Sequence, residues 1–269
     1  MACNLTCEYP MKIKTLQQAR LGLVLSGGGV RGMAHIGLIK ALISSGIRPE
    51  WISGTSVGAI VGALYANGIT ANEMMDFFRE TPLFRYNFLS INKPGFLDTD
   101  RYMNIFKDYF STDSFDALPK KLFVTATNLQ KGRQEVFHSG ELIRPLLASA
   151  ALPPVFSPVA IGKFLYADGG ILNNFPSEPI EEHVDFLIGS NVSVVKEVGR
   201  DAIRSSLQLA NRTTALMIYA INNKKMARCQ WLFEPQELEH IGVLEKKSLE
   251  KAYEIGYSHA SQTLENVLS

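Results

Sequence analysis

The chain has 269 residues, of which 46% are hydrophobic and 20% are charged, and its 27 basic and 26 acidic side chains leave a net charge of +1. An intrinsically disordered chain would contain fewer apolar residues, and a collagen or coiled coil would show a fixed sequence period. Nucleic-acid binding depends on an excess of clustered lysine and arginine, so this balance excludes nucleic acid as an expected partner.

The cysteines and the apolar segments indicate in which cellular compartment the protein is expected. Cys3, Cys7 and Cys229 are too few and too far apart for a disulfide framework, which indicates a reducing compartment. No histidine stands near Cys3 or Cys7, so residues 1–20 are predicted to be a flexible tail without a metal site. Polar residues interrupt any signal-peptide core, and the apolar stretches are shorter than the ~20 residues of a spanning helix. We expect a cytoplasmic protein that contacts a membrane only peripherally, at its inner surface.

The first 70 residues alternate between the patterns of strands and helices. Apolar runs at 21–26 and 51–53 predict buried strands, the second of which should break at Gly54. Segments 33–45 and 57–67 have the spacing and the end signals of helices. This alternation predicts an α/β fold with a mainly parallel sheet and helices on its faces.

Further strands and two late helices complete the predicted domain. The strands are expected at residues 121–126, 134–137, 164–167 and 185–192, and the helices at 201–223 and 248–268. Between them, the phenylalanine-rich segment 74–110 lacks strand alternation and is predicted to form helical excursions over one end of the sheet. We expect one domain over residues 21–200, with residues 201–269 as a helical extension packed on it.

The pentapeptide Gly54-Thr55-Ser56-Val57-Gly58 lies between a predicted strand and a predicted helix. A Gly-x-Ser-x-Gly turn at this place is so sharp that only glycine fits its first and last positions, and it presents the serine at a helix amino terminus. The other interpretation is that small residues here allow close packing of the helix on the sheet. Alone, the motif leaves both open.

The glycine loop, Gly27 to Gly32, also joins a strand to a helix. Gly27, Gly29 and Gly32 satisfy the dinucleotide pattern Gly-x-Gly-x-x-Gly, but residues 53–56 stand where that fold needs an acidic residue. A nucleotide-phosphate loop is excluded because no Gly-Lys-Ser or Gly-Lys-Thr follows. Exposed amides of Gly28 and Gly29 at a helix amino terminus fit the remaining possibility, an oxyanion hole.

Arg31, within the glycine loop, has two interpretations of equal weight. The helix dipole disfavours a cation at this end, which suggests that an anion or a carboxylate shares the site. Alternatively, Arg31 is a solvated side chain whose stem covers the sheet edge.

Asp168 begins the sequence Asp168-Gly169-Gly170 at the end of a predicted strand. Ligands of α/β proteins collect at the carboxyl ends of strands, so Asp168 is expected at the same edge as Ser56. An Asp-Gly pair also commonly forms a turn in which the aspartate bonds its own backbone. The presence of the two glycine motifs favours the catalytic interpretation.

A histidine base is not evident. None of the five lies in a glycine-bounded loop at a strand end: His35, His138, His183, His240 and His259. If none of them serves, Asp168 must accept the Ser56 proton directly. Ser149 is a competing nucleophile, but it lacks flanking glycines and precedes Pro153 and Pro154, so we interpret it as pocket wall.

Taken together, the glycine loop, the Gly54 to Gly58 motif and Asp168-Gly169-Gly170 resemble the patatin-like phospholipase family. Segment 148–154 also resembles the block that precedes that family's aspartate, and the resemblance extends over about residues 21–192. The resemblance implies a three-layer α/β/α fold and a Ser-Asp dyad that hydrolyses acyl esters of lipids or phospholipids. No cofactor or metal is expected.

Carried over residue by residue, the resemblance makes Ser56 the nucleophile and Asp168 its general base. Amides around Gly28 and Gly29 would form the oxyanion hole, and Arg31 would help to hold the loop. Segment 74–110 would then be an acyl pocket or a lid, with Phe84 and Phe88 meeting lipid, unless it is plain core. A transacylase and a non-catalytic lipid-binding protein are the two alternative functions.

Overall fold

The computed structural model describes residues 13–81 and 94–268. Its strands are β1 (Leu21–Leu25), β2 (Trp51–Thr55), β3 (Lys121–Asn128), β4 (Arg133–Phe137), β5 (Val159–Ile161), β6 (Phe164–Asp168), β7 (Phe186–Ser190) and β8 (Trp231–Phe233). Its α-helices are α1 (Ile13–Gln18), α2 (Met33–Ser44), α3 (Val57–Ala66), α4 (Ala71–Glu80), α5 (Met103–Tyr109), α6 (Ile143–Ser149), α7 (Glu178–Glu181), α8 (Ser206–Met226) and α9 (Leu249–Leu268). The predicted alternation of strand and helix in the first 70 residues is confirmed.

The strands form one mixed sheet in the order β5-β6-β3-β2-β1-β7-β8, and β4 also pairs with β3. Strands β3, β2, β1, β7 and β8 run parallel to their neighbours in this order. Strands β4 and β6 pair antiparallel with β3, and β5 pairs antiparallel with β6. The sheet is therefore mostly parallel, as predicted, with an antiparallel margin.

Helices cover both faces of this sheet. Leu23 and Leu25 of β1 belong to a large hydrophobic cluster that also contains residues of α2, α3, α4, α6 and α9. Val24 points to the opposite face, into a smaller cluster with Ile180 of α7 and Met226 of α8. Because successive strand residues face opposite sides, a strand buried throughout, as β1 is, needs cover on both. The three-layer α/β/α fold is confirmed.

Several element bounds differ from the sequence predictions. Strand β2 does not break at Gly54, because Gly54 is paired with Leu25 on one side and with Val124 on the other. Strand β7 is shorter than predicted, α8 begins at Ser206 rather than at residue 201, and β5 and β8 were not predicted. Three-residue strands are too short for a sequence period to reveal.

Both ends of the described chain contain helix. The prediction of a flexible tail over residues 1–20 is wrong for residues 13–18, because they form α1, which buries Leu16 in the large cluster. Cys3 and Cys7 lie outside the described residues. At the other end, α9 packs on α2 so closely that a Cβ on Gly256 would meet the backbone of Ala34. None of the helices in the described part of the chain has the length and apolar character needed to cross a membrane.

Segment 74–110 contributes core where it is described. Phe77, Phe106 and Phe110 are buried. The Phe77 ring packs edge-to-face on Phe106 and on Tyr109, with ring centroids 5.3 Å and 5.0 Å apart. Phe96 is exposed. The two residues proposed to meet lipid, Phe84 and Phe88, lie outside the described residues.

Candidate active site

Ser56 occupies the turn between β2 and α3. Its φ of 55° makes it the only non-glycine residue with a positive φ in residues 13–81 and 94–268. A Cβ on Gly54 would lie 2.7 Å from the Gly58 carbonyl group, and a Cβ on Gly58 would meet the carbonyl oxygens of Leu25 and Ser26. A side chain at either position would therefore collide with backbone atoms, which for Gly58 belong to the end of β1 and the residue after it.

Strand β3 brings Ser56 and Asp168 together. On one side of β3, Thr55 pairs with Thr125, so Ser56 follows immediately beyond that pair. On the same edge of β3, Asp168 pairs with the next residue, Ala126, because β4 occupies the opposite edge over residues 124–128. Thr55 and Asp168 thus lie beside consecutive residues of one strand, which places the Ser56 side chain close enough to the Asp168 carboxyl group to lower its pKa.

The reason that we gave for the position of Asp168 is wrong. The rule about carboxyl ends applies to parallel strands, whereas β6 is antiparallel to β3 and runs in the opposite direction. Asp168 reaches Ser56 because β6 pairs with only residues 126–128 at the end of β3. The short overlap places the carboxyl end of β6 beside the carboxyl end of β2.

The Asp168 carboxyl group is buried and only partly compensated. Its Oδ1 accepts a hydrogen bond from the Gly170 N–H at 2.7 Å. Burial raises its pKa to about 6, and the nearby Ser56 hydroxyl and the Gly170 N–H lower it in part. Removal from water penalises the charged form, which is why the pKa of this carboxyl group rises. A carboxylate with this pKa is ionised at neutral pH and can still accept a proton.

The base-loop glycines, Gly169 and Gly170, fit closely around Asp168. A Cβ on Gly169 would meet the Thr125 carbonyl oxygen of β3. A Cβ on Gly170 would lie 2.8 Å from Asn174 Oδ1. The turn interpretation of Asp168 is therefore also correct, since its side chain bonds the backbone two residues on while its carboxyl group faces Ser56.

The glycine loop passes beside Ser56. A Cβ on Gly27 would lie 3.1 Å from Ser56 Cβ. The N–H of Gly27 donates to Asn174 O at 3.3 Å and that of Val30 donates to Val243 O at 2.8 Å. Between them, the N–H groups of Gly28 and Gly29 have no acceptor within the described residues. Two unpaired amides next to a serine can stabilise a negatively charged oxygen.

Gly29 and Gly32 shape the loop. Gly29 has a φ of 57° and lies against the Val243 carbonyl oxygen, so a side chain there would be both strained and obstructed. A Cβ on Gly32 would lie 2.5 Å from the Val57 side chain of α3. The loop is thus held between α3 and the segment that contains Val243.

Arg31 ties the glycine loop to residues 239–241. Its Nε donates to Ile241 O at 2.7 Å and its Nη2 donates to Glu239 O at 3.2 Å. Burial lowers the pKa of Arg31, and the Glu239 carboxylate partly offsets that effect. The guanidinium is held by carbonyl oxygens, so the solvated interpretation is wrong, whereas the expected carboxylate near Arg31 is present as that of Glu239.

The histidines have structural surroundings. His35 is fully buried, with Nε2 2.9 Å from Ser26 O and Nδ1 2.7 Å from Ser190 Oγ. Burial lowers the pKa of His35 to about 4, so its ring is neutral at pH 7. Because a carbonyl oxygen can only accept, Nε2 carries the proton and supports the backbone just before the glycine loop. No hydrogen bond joins a histidine to Ser56 or Asp168 in the described residues.

Ser149 has a role that the sequence analysis missed. Its Oγ accepts a hydrogen bond from the Ser56 N–H at 2.9 Å and donates to Thr125 O at 2.7 Å. Our interpretation of Ser149 as pocket wall is therefore wrong. Its fully buried hydroxyl holds the strained turn to β3. No glycine pattern marks Ser149, and only its position before the two prolines could have drawn attention to it.

Asn174 and Ser193 were also missed. Ser193 Oγ donates to Gly27 O at 2.7 Å, and Asn174 Nδ2 donates to Ser193 Oγ at 3.1 Å. They fix the Gly27 carbonyl and so orient the peptide that follows it. Neither residue stands in a motif, because their contacts depend on folding of the chain after β6 and β7.

Comparisons with known proteins extend these observations. The family model of patatin-like phospholipases matches residues 23–180, which include both Ser56 and Asp168. An uncharacterized NTE family protein of Mycobacterium tuberculosis is 32% identical over 173 residues, covering 63% of this chain and 48% of that protein. Lysophospholipase nte1 of Aspergillus fumigatus is 27% identical over 288 residues, covering 93% of this chain and 18% of that protein.

The chain thus spans about half the length of its mycobacterial relative and less than a fifth of the fungal one. Among solved structures, VipD from Legionella pneumophila matches with a TM-score of 0.53 at 16% identity, over 92% of this chain and 67% of that chain. This structural likeness shows a shared fold. Because the family model matches more than half of the sequence, the chain belongs to the patatin-like phospholipase family.

Proposed function

We propose that this chain is a serine acyl hydrolase that cleaves acyl esters of lipids, of the phospholipase A, lysophospholipase or carboxylesterase type. The single observation that carries the proposal is the placement of Ser56 beside the buried Asp168 carboxyl group, at the adjoining ends of β2 and β6. Membership of the patatin-like phospholipase family and a relative named lysophospholipase support it.

The proposed mechanism has two steps. Asp168 accepts the hydroxyl proton as Ser56 Oγ attacks the ester carbonyl carbon, and the alcohol leaves with a proton returned from Asp168. Asp168 then activates a water molecule, which hydrolyses the acyl-serine ester and releases the fatty acid. In both steps the N–H groups of Gly28 and Gly29 stabilise the oxyanion of the tetrahedral intermediate.

The experiment that tests the proposed function uses a lysophospholipid and a fluorophosphonate. We expect release of free fatty acid, measured by titration, and stoichiometric covalent labelling of Ser56, located by peptide mass spectrometry. A hydrolase needs only water as the acceptor, so release should not depend on an added alcohol. An absence of labelling in folded protein would contradict the proposal, and fatty-acid transfer only to added alcohols would indicate a transacylase.

Ser149 is expected to act as a positioning residue for Ser56. In Ser149→Ala the Ser56 N–H loses its acceptor, so we expect fluorophosphonate labelling at least about 10-fold slower and a loss of about 1–3 kcal/mol in the free energy of unfolding. Labelling kinetics and thermal melting measure the two effects.

Ser157→Ala is the matched control. Ser157 is as buried as Ser149, and its Oγ accepts from the Thr99 N–H at 3.1 Å, away from Ser56. We expect a similar loss of stability and unchanged labelling. Equal labelling rates in the two variants would mean that Ser149 only stabilises the fold.

A further inference from the structure

Helix α8 exposes a stripe of large apolar side chains, which we call the α8 stripe. Leu209, Leu216, Met217 and Ile221 are 51%, 43%, 66% and 48% exposed. At the spacing of an α-helix these four residues lie within a sector of about 140°. Leu216, Met217 and Ile221 are neighbours on this face, and clustered exposed apolar residues mark an interaction site more often than isolated ones do.

The opposite face of α8 is packed on the domain. Met226 belongs to the smaller hydrophobic cluster, and Asn222 Oδ1 accepts a hydrogen bond from the Phe175 N–H at 3.2 Å. The inner side of α8 is therefore covered by the domain. The α8 stripe on the outer side is left exposed by the described residues.

Charge indicates the kind of partner. Helix α8 contains Arg212, Lys224 and Lys225 and no acidic residue. Lys225 is paired with Glu178 at 2.6 Å, whereas Lys224 is exposed and lies within the sector of the α8 stripe at its carboxyl end. A lysine in that position can extend its ammonium group to an anionic surface while its stem lies along apolar groups. The α8 of a second copy would offer no carboxylate to Lys224.

The inner side of α8 lies over the residues that hold the glycine loop. Asn222 and Met226 line a small cavity together with Asn174 and Ser193, which orient the Gly27 carbonyl. The α8 stripe is thus separated from these residues by about one helix diameter, ~10 Å. A surface bound to the stripe would lie close to the candidate active site.

We propose that the α8 stripe binds the surface of an anionic lipid bilayer, with α8 lying in the plane of the interface. The apolar side chains enter the boundary between headgroups and acyl chains, and Lys224 contacts anionic headgroups. The role of this contact in delivering substrate to Ser56 rests on the proposed function, whereas binding itself does not.

The test is sedimentation of the purified chain with vesicles of phosphatidylcholine alone or mixed with an equal part of phosphatidylglycerol. We expect binding to the mixed vesicles that weakens with added salt. Leu216→Gln with Met217→Gln should lower the partition coefficient at least about 10-fold, and Lys224→Gln should lower it about fivefold on the mixed vesicles only. Glutamine is a good helix former, so these variants should keep α8.

Leu129→Gln with Leu165→Gln is the matched control, because these two leucines are similarly exposed but lie away from α8, after β3 and in β6. It should bind vesicles as the unmodified chain does. Equal losses in both double variants, or none in the α8 variant, would overturn the proposal, and so would a dimer that only the α8 variant dissociates. Hydrolysis of a soluble ester is measured in parallel, so failure of the proposed function is seen separately from failure of binding.

Discussion

Replacing Ser56 by alanine is expected to lower kcat/KM for ester hydrolysis by about 10⁴-fold or more. The alanine side chain cannot form the acyl-enzyme, so the activity that is left would come from substrate binding and the glycine-loop amides alone. The Ser56 N–H can still donate to Ser149, so the turn should persist. Steady-state kinetics and circular dichroism measure the two expectations. Near-native turnover in folded Ser56→Ala would exclude Ser56 as the nucleophile.

Ser56→Gly separates catalysis from backbone strain. A φ of 55° with a ψ of −129° is a region that only glycine adopts readily, and holding another residue there costs about 1–3 kcal/mol. Glycine relieves this strain but adds freedom to the unfolded chain, worth about 0.4–1 kcal/mol in the opposite direction. We therefore expect Ser56→Gly to be as inactive as Ser56→Ala and more stable by about 1 kcal/mol. A less stable Ser56→Gly would show that the turn is not strained.

The turn around Ser56 could be predicted because its geometry is encoded in five consecutive residues. Gly54 and Gly58 are needed at fixed offsets from Ser56, and the glycine loop likewise has its amides and its helix start within a few positions. The capping box of α8 was equally local: Ser205 Oγ accepts from the Gln208 N–H at 3.2 Å, which explains why α8 begins at Ser206. A start at residue 201 does not take this pattern into account.

Contacts between distant segments could not be predicted in the same way. The composition of β6 identifies a strand but not its direction, because β6 pairs with the three residues of β3 that extend beyond the end of β2, a tertiary contact that no local pattern encodes. Ser149 meets the Ser56 N–H only after α6 has packed on β3. These residues position the site through tertiary structure, and a single hydroxyl has no sequence period to mark it.

The pKa of Asp168 connects the activity of the site to its stability. A carboxyl group whose pKa is raised by folding holds a proton in the folded state that the unfolded chain has released. Its contribution to stability is therefore lost as the pH rises from about 4 to about 6. At neutral pH the buried carboxylate destabilises the fold by about 3 kcal/mol, since each pKa unit corresponds to ~1.4 kcal/mol. The property that makes Asp168 a base weakens the folded state.

Asp168→Asn should consequently be nearly inactive and more stable. We expect kcat/KM to fall by about 10³-fold or more, because an amide cannot accept the Ser56 proton. The amide oxygen can still accept from the Gly170 N–H, and no charge is buried, so the melting temperature at pH 8 should exceed that of the unmodified chain. This difference should shrink as the pH falls toward 4. Kinetics and thermal melting across this pH range measure both effects.

The pH profile of the unmodified chain provides the control for Asp168→Asn. Its kcat/KM should decrease about tenfold for each pH unit below about 6, where Asp168 becomes protonated. His35 cannot produce a decrease there, because burial lowers its pKa to about 4. The residual activity of Asp168→Asn should lack this acid limb. If the limb persists near pH 6 in Asp168→Asn, another group is the base, and the direct transfer of the Ser56 proton to Asp168 is wrong.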